Sequence, residues 1–172
     1  EKNIILVEDT RKTLQDMAMY KRNLYGKDFP LIAVTGSVGK TSTKDMISSV
    51  LSQKFKTLKT EGNHNNDIGL PFTILKLRDE EVAVIEMGMN HFGEIRLLTS
   101  IAKPTISVIT NIGTSHIGNL GSRENILKAK LEILEGMEEP KIVINEDNDL
   151  LNKWHKENIS GIDIHTYGIE EK

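Results

Sequence analysis

The chain contains no cysteine. That absence removes disulfides and thiolate chemistry, and it suits a reducing compartment. No apolar run approaches the length of a membrane span, and no signal-peptide pattern opens the sequence. Charge of neither sign dominates: 22 Lys and Arg stand against 25 Asp and Glu, a formal net charge of −3. There is no basic patch or Arg-rich block to hold nucleic acid, and no long acidic tail. Internal repeats and low-complexity segments are also missing. What remains is 172 residues, one domain's worth, with enough length to bury a substantial core. The first residue is Glu1 and not methionine, so the chain is read as a piece of a longer protein.

Against these absences stands one dense motif, LIAVTGSVGKTSTK, from Leu31 to Lys44. An apolar strand-like stretch enters a Gly-Ser-Val-Gly-Lys-Thr turn, and the turn opens a helix. Backbone N–H groups at a helix start attract anions, so such a turn holds a nucleotide phosphate. Lys40 adds a mobile positive charge, and the Thr41 hydroxyl suits Mg²⁺. The common phosphate-loop pattern begins with a glycine five residues before the Gly-Lys step. That position is Val34, and Gly36 stands closer instead. A glycine turn with a surface lysine would share the dipeptide, but not the order of strand, turn, Lys-Thr and helix.

Strand-length apolar runs recur along the chain: Ile4–Val7, Leu31–Thr35, Thr57–Leu58, Val82–Glu86, Ile106–Thr110, Ile142–Asn145 and Ile162–Thr166. Most are continuous and not alternating, as in strands covered on both faces. Helical segments are expected at Thr10–Tyr25, Lys40–Lys54, Gly93–Ala102, Ser122–Leu134 and Leu150–Lys156. In the second of these, Met46, Ile47, Val50 and Leu51 fall on one face, which should pack while the lysines stay in water. The alternation predicts an α/β fold: a doubly wound, mostly parallel sheet with helices on both faces. Asp28-Phe29-Pro30 would join a leading strand and helix, residues 1–29, to the nucleotide-binding part, residues 30–172.

Ligands in such sheets sit at the carboxyl ends of the strands. Three strands end there in useful chemistry. Leu31–Thr35 ends at the phosphate loop. Val82–Ile85 runs into Glu86-Met-Gly-Met-Asn90, and Glu86 is placed as the carboxylate partner of a phosphate-bound Mg²⁺. Ile106–Ile109 runs into Thr110-Asn-Ile-Gly-Thr-Ser-His116, and its rim position sets His116 apart from His64, His91, His155 and His165. The loop Gly62–Pro71 carries three asparagines, a histidine and an aspartate. It fits either a polar ligand contact or an Asn/Gly turn before a helix. Lys128 and Lys130 face different sides of their helix, and spacing alone reads both as solvated.

Taken together, these segments resemble the ATP-binding central domain of the Mur ligases, the enzymes that build the peptide of bacterial cell wall. The resemblance rests on residues 34–42, Asn63–Pro71, Glu86–Ile95, Thr110–His116, Lys128–Ile133 and Asn145–Asn148, in family order, and covers nearly the whole chain. Val34 is where the family's own phosphate loop also departs from the common pattern. Phe92 is a departure, since relatives more often carry proline there. Within the family, Val7-Glu-Asp-Thr10, Lys44 and the Glu86–Ile95 stretch are most similar to the member that adds D-Ala-D-Ala to UDP-MurNAc-tripeptide.

The resemblance implies ATP as substrate and two Mg²⁺ ions. It implies that Gly36, Ser37, Val38, Gly39, Lys40, Thr41 and Ser42 cradle the phosphates. Thr41 and Glu86 would hold one metal ion. His116 and a carbamylated Lys130 would serve the second, so that Lys40, Glu86, His116 and Lys130 carry the catalysis. Asn66 would lie near the γ-phosphate, and Asn145 and Asp147 near adenine and ribose. The implied reaction is amide formation through an acyl phosphate, in the bacterial cytoplasm. The implied protein is a monomer with flanking N- and C-terminal domains and a central domain that continues past this segment, so the segment alone should bind ATP weakly and ligate nothing. Another amide ligase of the same fold, such as folylpolyglutamate synthase, is an alternative. A P-loop switch is a third reading, but the chain has no Asn-Lys-x-Asp guanine motif.

Overall fold

The computed structural model describes residues 4–158 and 160–169. Six strands form one all-parallel sheet: β1 (Leu31–Thr35), β2 (Thr57–Lys59), β3 (Val82–Glu86), β4 (Ile106–Ile109), β5 (Lys141–Asn145) and β6 (Asp163–Tyr167). Their order is β2-β3-β1-β4-β5-β6, so the phosphate-loop strand is central and the chain leaves it first to one side, then to the other. Such a reversal opens a crevice at the carboxyl ends of the central strands.

Side-chain alternation along the central strands divides the core in two. Leu31, Ala33, Ala83, Ile85 and Ile109 face the larger cluster, while Ile32, Val34, Val82, Val84 and Val108 face a smaller one. On the larger side pack α1 (Thr10–Asn23), α3 (Gly69–Leu75), α4 (Glu94–Ala102), α6 (Arg123–Leu131) and α7 (Asp149–Glu157). On the smaller side packs α2 (Lys40–Leu51), through Ile47 and Leu51. A short α5 (Ile117–Leu120) follows the exit of β4. No helix among the described residues is long and apolar enough to cross a membrane.

Several expectations are corrected. Residues 4–7 form no strand, and Ile4, Ile5 and Leu6 are exposed. An apolar run becomes a strand only where a sheet edge receives its backbone, and none of the five ladders includes it. In α2 the packed face is rotated: Met46 and Val50 are 63% and 72% exposed, whereas Lys44 is only 2% exposed. The rotation follows from α2's start, where Thr41 and Lys44 both make side-chain bonds to the neighbouring strands, described below. The expected helix Ser122–Leu134 stops at Leu131 and tightens into a 3-10 turn, Glu132–Gly136. That turn lies close on α4, and a Cβ at Gly136 would sit 2.5 Å from the Thr99 carbonyl oxygen. Gly136→Ala is therefore expected to lower stability by about 1–3 kcal/mol, read as a fall in the urea midpoint.

Two short helices, α3 and α5, are not among the helical segments expected, although a turn before a helix is one reading of Gly62–Pro71. Leu70, Pro71 and Ile74 of α3 are buried, and Pro71 lies in the first turn, where its missing N–H has no helical partner to lose. Gly-Leu-Pro reads as a breaker in one dimension. Here it is a helix start.

Candidate active site

The phosphate loop leaves β1 at Thr35 and enters α2 at Lys40. Gly39 (φ 82°) occupies the N-cap position in a left-handed conformation, and no side chain caps the helix. The first amides of α2 thus face the carboxyl rim of the sheet. The loop is held from the side by the exit of β4. Ser37 N donates to Asn111 O (3.0 Å), Val38 N to Asn111 Oδ1 (2.9 Å), Thr110 Oγ1 to Val38 O (2.6 Å) and Gly113 N to Ser37 Oγ (2.9 Å). Gly36 is required by the closeness of this packing, because a Cβ there would lie 1.9 Å from Thr110 Oγ1. Gly36→Ala is expected to push Thr110 off the loop and weaken nucleotide binding at least tenfold, measurable by calorimetric titration of ATP into the whole protein. Lys40 Nζ folds back onto Gly36 O at 3.0 Å, across the mouth of the loop.

Beside it, Glu86 ends β3 and is 2% exposed. Its amide donates to Thr60 Oγ1 (2.9 Å). Its Oε2 accepts from Thr41 Oγ1 (2.9 Å) and its Oε1 from Asn65 Nδ2 (2.8 Å). One turn past Thr41, Lys44 Nζ donates to Thr60 O (2.9 Å), so one face of α2 holds both the carboxylate and the threonine behind it. Among the described residues, no three His, Asp or Glu side chains stand together as a ready cation cage. A hydroxyl and a carboxylate next to a phosphate loop do fit Mg²⁺, which takes few protein ligands and completes its shell from phosphates and water.

Glu86's partner from the asparagine loop is Asn65. Asn66, the residue implied by the resemblance, accepts at its Oδ1 from Gly69 N (2.8 Å) and Ile68 N (3.2 Å) at the entry to α3, while still lining the cavity described next. Two adjacent asparagines carry no one-dimensional signal for which one reaches the carboxylate. Asn65 was missed for that reason, and Thr60 because a single threonine after a three-residue strand carries no motif.

A cavity of about 470 Å³ opens beyond Lys40, on the side of the sheet away from α2. Lys40, His116, Lys130, Asn65, Asn66, Asn90 and Glu94 line it, and Arg11 reaches it from α1. Lys130 is 1% exposed, while Lys128 on the same helix is exposed. Burial, with a smaller push from Lys40, lowers the Lys130 amine to about 7. His116 has a left-handed backbone (φ 67°) at the head of α5. Burial, then Lys130 and Lys40, lowers its pKa, which favours the neutral, ligand-competent imidazole. A larger cavity, about 730 Å³, lies at the amino ends of β4 and β5, away from all these groups.

Asn145 and Asp147 share the rim but not the cavity. They follow β5, where Asn145 Oδ1 accepts from Asp147 N (3.0 Å) and Asp147 Oδ2 from Ile169 N (2.7 Å). Tyr167 Oη donates to Thr110 O at 3.4 Å, linking this end of the rim to the phosphate loop.

With this geometry in place, the family model described as Mur ligase middle domain matches residues 34–172. The chain belongs to the Mur ligase middle-domain family. Every site residue above except Arg11 falls within that span. The UDP-N-acetylmuramoyl-tripeptide–D-alanyl-D-alanine ligase of Bacillus subtilis (strain 168) is 51% identical over 142 residues, 82% of this chain and 31% of the relative. Among solved structures, MurF from Acinetobacter baumannii superposes with a TM-score of 0.85 at 37% identity, covering 95% of this chain and 36% of that one. MurF from Thermotoga maritima, solved in complex with ADP, gives 0.81 at 33% identity, covering 98% and 39%. The chain thus spans about a third of the length of the relatives it matches. The six-stranded parallel sheet of this Mur ligase middle domain is the α/β fold expected from the sequence.

Proposed function

We propose that the protein carrying this chain is an ATP-dependent ligase of the bacterial cytoplasm that joins D-Ala-D-Ala to UDP-MurNAc-tripeptide, and that this chain is its ATP- and Mg²⁺-binding segment. The observation that carries the reading is the Thr41–Glu86 pair at the phosphate loop, next to a cavity that Lys40, His116 and buried Lys130 line together. The similarity to ligases of that specificity supplies the substrates.

The chemistry needs two anions to approach. A carboxylate oxygen of the tripeptide attacks the γ-phosphorus of ATP, the bond to ADP breaks, and an acyl phosphate forms. The amine nitrogen of D-Ala-D-Ala then attacks the acyl carbon, loses a proton, and phosphate departs with its oxygen. The α2 amides and Lys40 hold the transferring phosphates and offset the repulsion between the reactants. Mg²⁺ held at Thr41 and Glu86 would neutralise phosphate charge during transfer. Thr60 holds the Glu86 backbone amide, and Asn65 donates to its carboxylate, which keeps that carboxylate in place. Asn66, on the cavity wall, would lie near the γ-phosphate, and Asn145 and Asp147 near the nucleoside.

Lys130 fits a carbamate. An amine adds to CO₂ only when neutral, and one near 7 is largely available at cytoplasmic pH where an ordinary lysine is not. The product is an anion, suited to share a second Mg²⁺ with His116. Supplying ¹³C-bicarbonate to the whole protein is expected to give a carbamate resonance that grows as pH rises through 7 and is missing in Lys130→Met. A wild-type spectrum without that resonance would rule the modification out.

The activity itself is tested by phosphate release from ATP in the whole protein. Release should require both UDP-MurNAc-tripeptide and D-Ala-D-Ala. Turnover indifferent to both would refute the ligase reading. Turnover with a different acid or amine would assign another ligase of this fold.

A further inference from the structure

Glu132 is a buried carboxylate, 5% exposed, two residues beyond Lys130, and the chemistry above does not use it. Its oxygens accept from Gly93 N (2.9 and 3.0 Å) and from Arg96 N (3.1 Å). Gly93 and Arg96 are the N-cap and third residues of α4. The N-cap side chain of a helix ordinarily satisfies that third amide, but Gly93 has none and adopts φ 84°. Glu132 makes that bond from a distant part of the chain, and its charge lies against the positive end of the α4 dipole.

The contact joins two segments that carry site residues. On one side is the run from Glu86 to Glu94, where Glu94 Oε2 accepts from Asn90 N (2.6 Å) and both residues line the cavity. On the other is the last turn of α6, which aims Lys130 into the same cavity. The two walls meet at the Glu132 carboxylate. Below it, Thr99 Oγ1 donates to Ile133 O (2.8 Å), so the 3-10 turn is pinned to α4 at a second point.

We propose that Glu132 is a positioning residue of the ligase site: by capping α4 from the 3-10 turn it fixes the distance between Lys130 and the Glu86–Glu94 segment. The assignment rests on the ligase reading. Glu132 touches no substrate. Its effect passes through the placement of Lys130, so it should govern the rate of phosphoryl transfer and leave ATP affinity, set at the phosphate loop, unchanged.

In the whole protein, Glu132→Gln keeps the volume but places an N–H₂ where two backbone N–H groups already point. We expect kcat to fall about 10–100-fold, as is common when a group behind a metal ligand is lost. KM for ATP should stay within about twofold of wild type by the same separation of binding from chemistry, and the carbamate resonance of Lys130 should weaken. Two comparisons isolate the role. Glu135→Gln breaks the exposed Arg96–Glu135 pair between the same elements and should keep wild-type kcat. Leu151→Ala, in the core under α7, lowers stability without touching the cap. A Glu132→Gln kcat loss no larger than that of Leu151→Ala at matched thermal destabilisation would overturn the proposal, as would a rise in KM for ATP that accounts for the whole loss. A wild-type protein inactive on the two substrates would overturn the ligase reading, and this role with it, and is told apart by the wild-type assay alone.

Discussion

Glu86→Gln in the whole protein is expected to lower kcat for ligation by about 10²–10³-fold, the usual scale for removing one preorganised electrostatic group. The substitution keeps size and burial. Thr41 Oγ1 and the Glu86 backbone amide retain partners, so the end of β3 should keep its place against α2. What disappears is the negative charge on which the cation site proposed at Thr41 and Glu86 depends. Asn65 Nδ2, which donates to the carboxylate, would face either a carbonyl or a second N–H₂. The expected signature is a collapse of kcat and a raised Mg²⁺ requirement, with thermal midpoint and KM for UDP-MurNAc-tripeptide little changed. A variant with wild-type turnover at limiting Mg²⁺ would remove Glu86 from the metal site.

Arg22→Met should have the largest effect on stability, a loss of about 3–5 kcal/mol from buried carbonyls left without donors. Arg22 is 2% exposed in α1 and has no carboxylate partner among the described residues. Its guanidinium donates to four backbone carbonyls: Gly26 O (2.7 Å), Ala102 O (2.8 Å), Lys103 O (3.0 Å) and Phe29 O (3.4 Å). It also lies over the Phe29 ring, 5.4 Å from the centroid. Two of those carbonyls end α4, where a cation meets the negative end of the helix dipole. Methionine fills the space but leaves the carbonyls without donors, each buried acceptor costing roughly 1–3 kcal/mol. Burial lowers the Arg22 pKa, yet its ordinary value lies so high that the group stays charged at any neutral pH. The effect should therefore be independent of pH between 6 and 9. Denaturant unfolding of the whole protein measures it, and a loss under 1 kcal/mol would show that water replaces the guanidinium.

How much of this was legible depended on whether the signal was local. The phosphate loop, the strand ending at Glu86 and the loop ending at His116 are each contiguous, and each appears where the pattern placed it. Strand boundaries at β1 and β3 agree with the sequence because buried parallel strands are unbroken apolar runs. The face of α2 was misread for the opposite reason. Its apolar stripe favoured Met46 and Val50, but two polar bonds to the β2–β3 edge, from Thr41 and Lys44, outweigh that burial and turn the helix. Ile4–Leu6 failed as a strand because a strand needs a partner, and composition cannot supply one.

The amino-acid sequence by itself determined the parallel α/β class, the phosphate loop and the carboxylate that follows it. These depend on residue type and short spacing, which chain connectivity enforces. Only the tertiary structure decided that Lys130 is buried and Lys128 is not, and that Asn65 takes Glu86 while Asn66 takes the first amide of α3. It alone placed Glu132 under the start of α4. In each case near neighbours with almost the same chemistry take different surroundings, and desolvation and hydrogen bonding depend on what the rest of the chain brings against them.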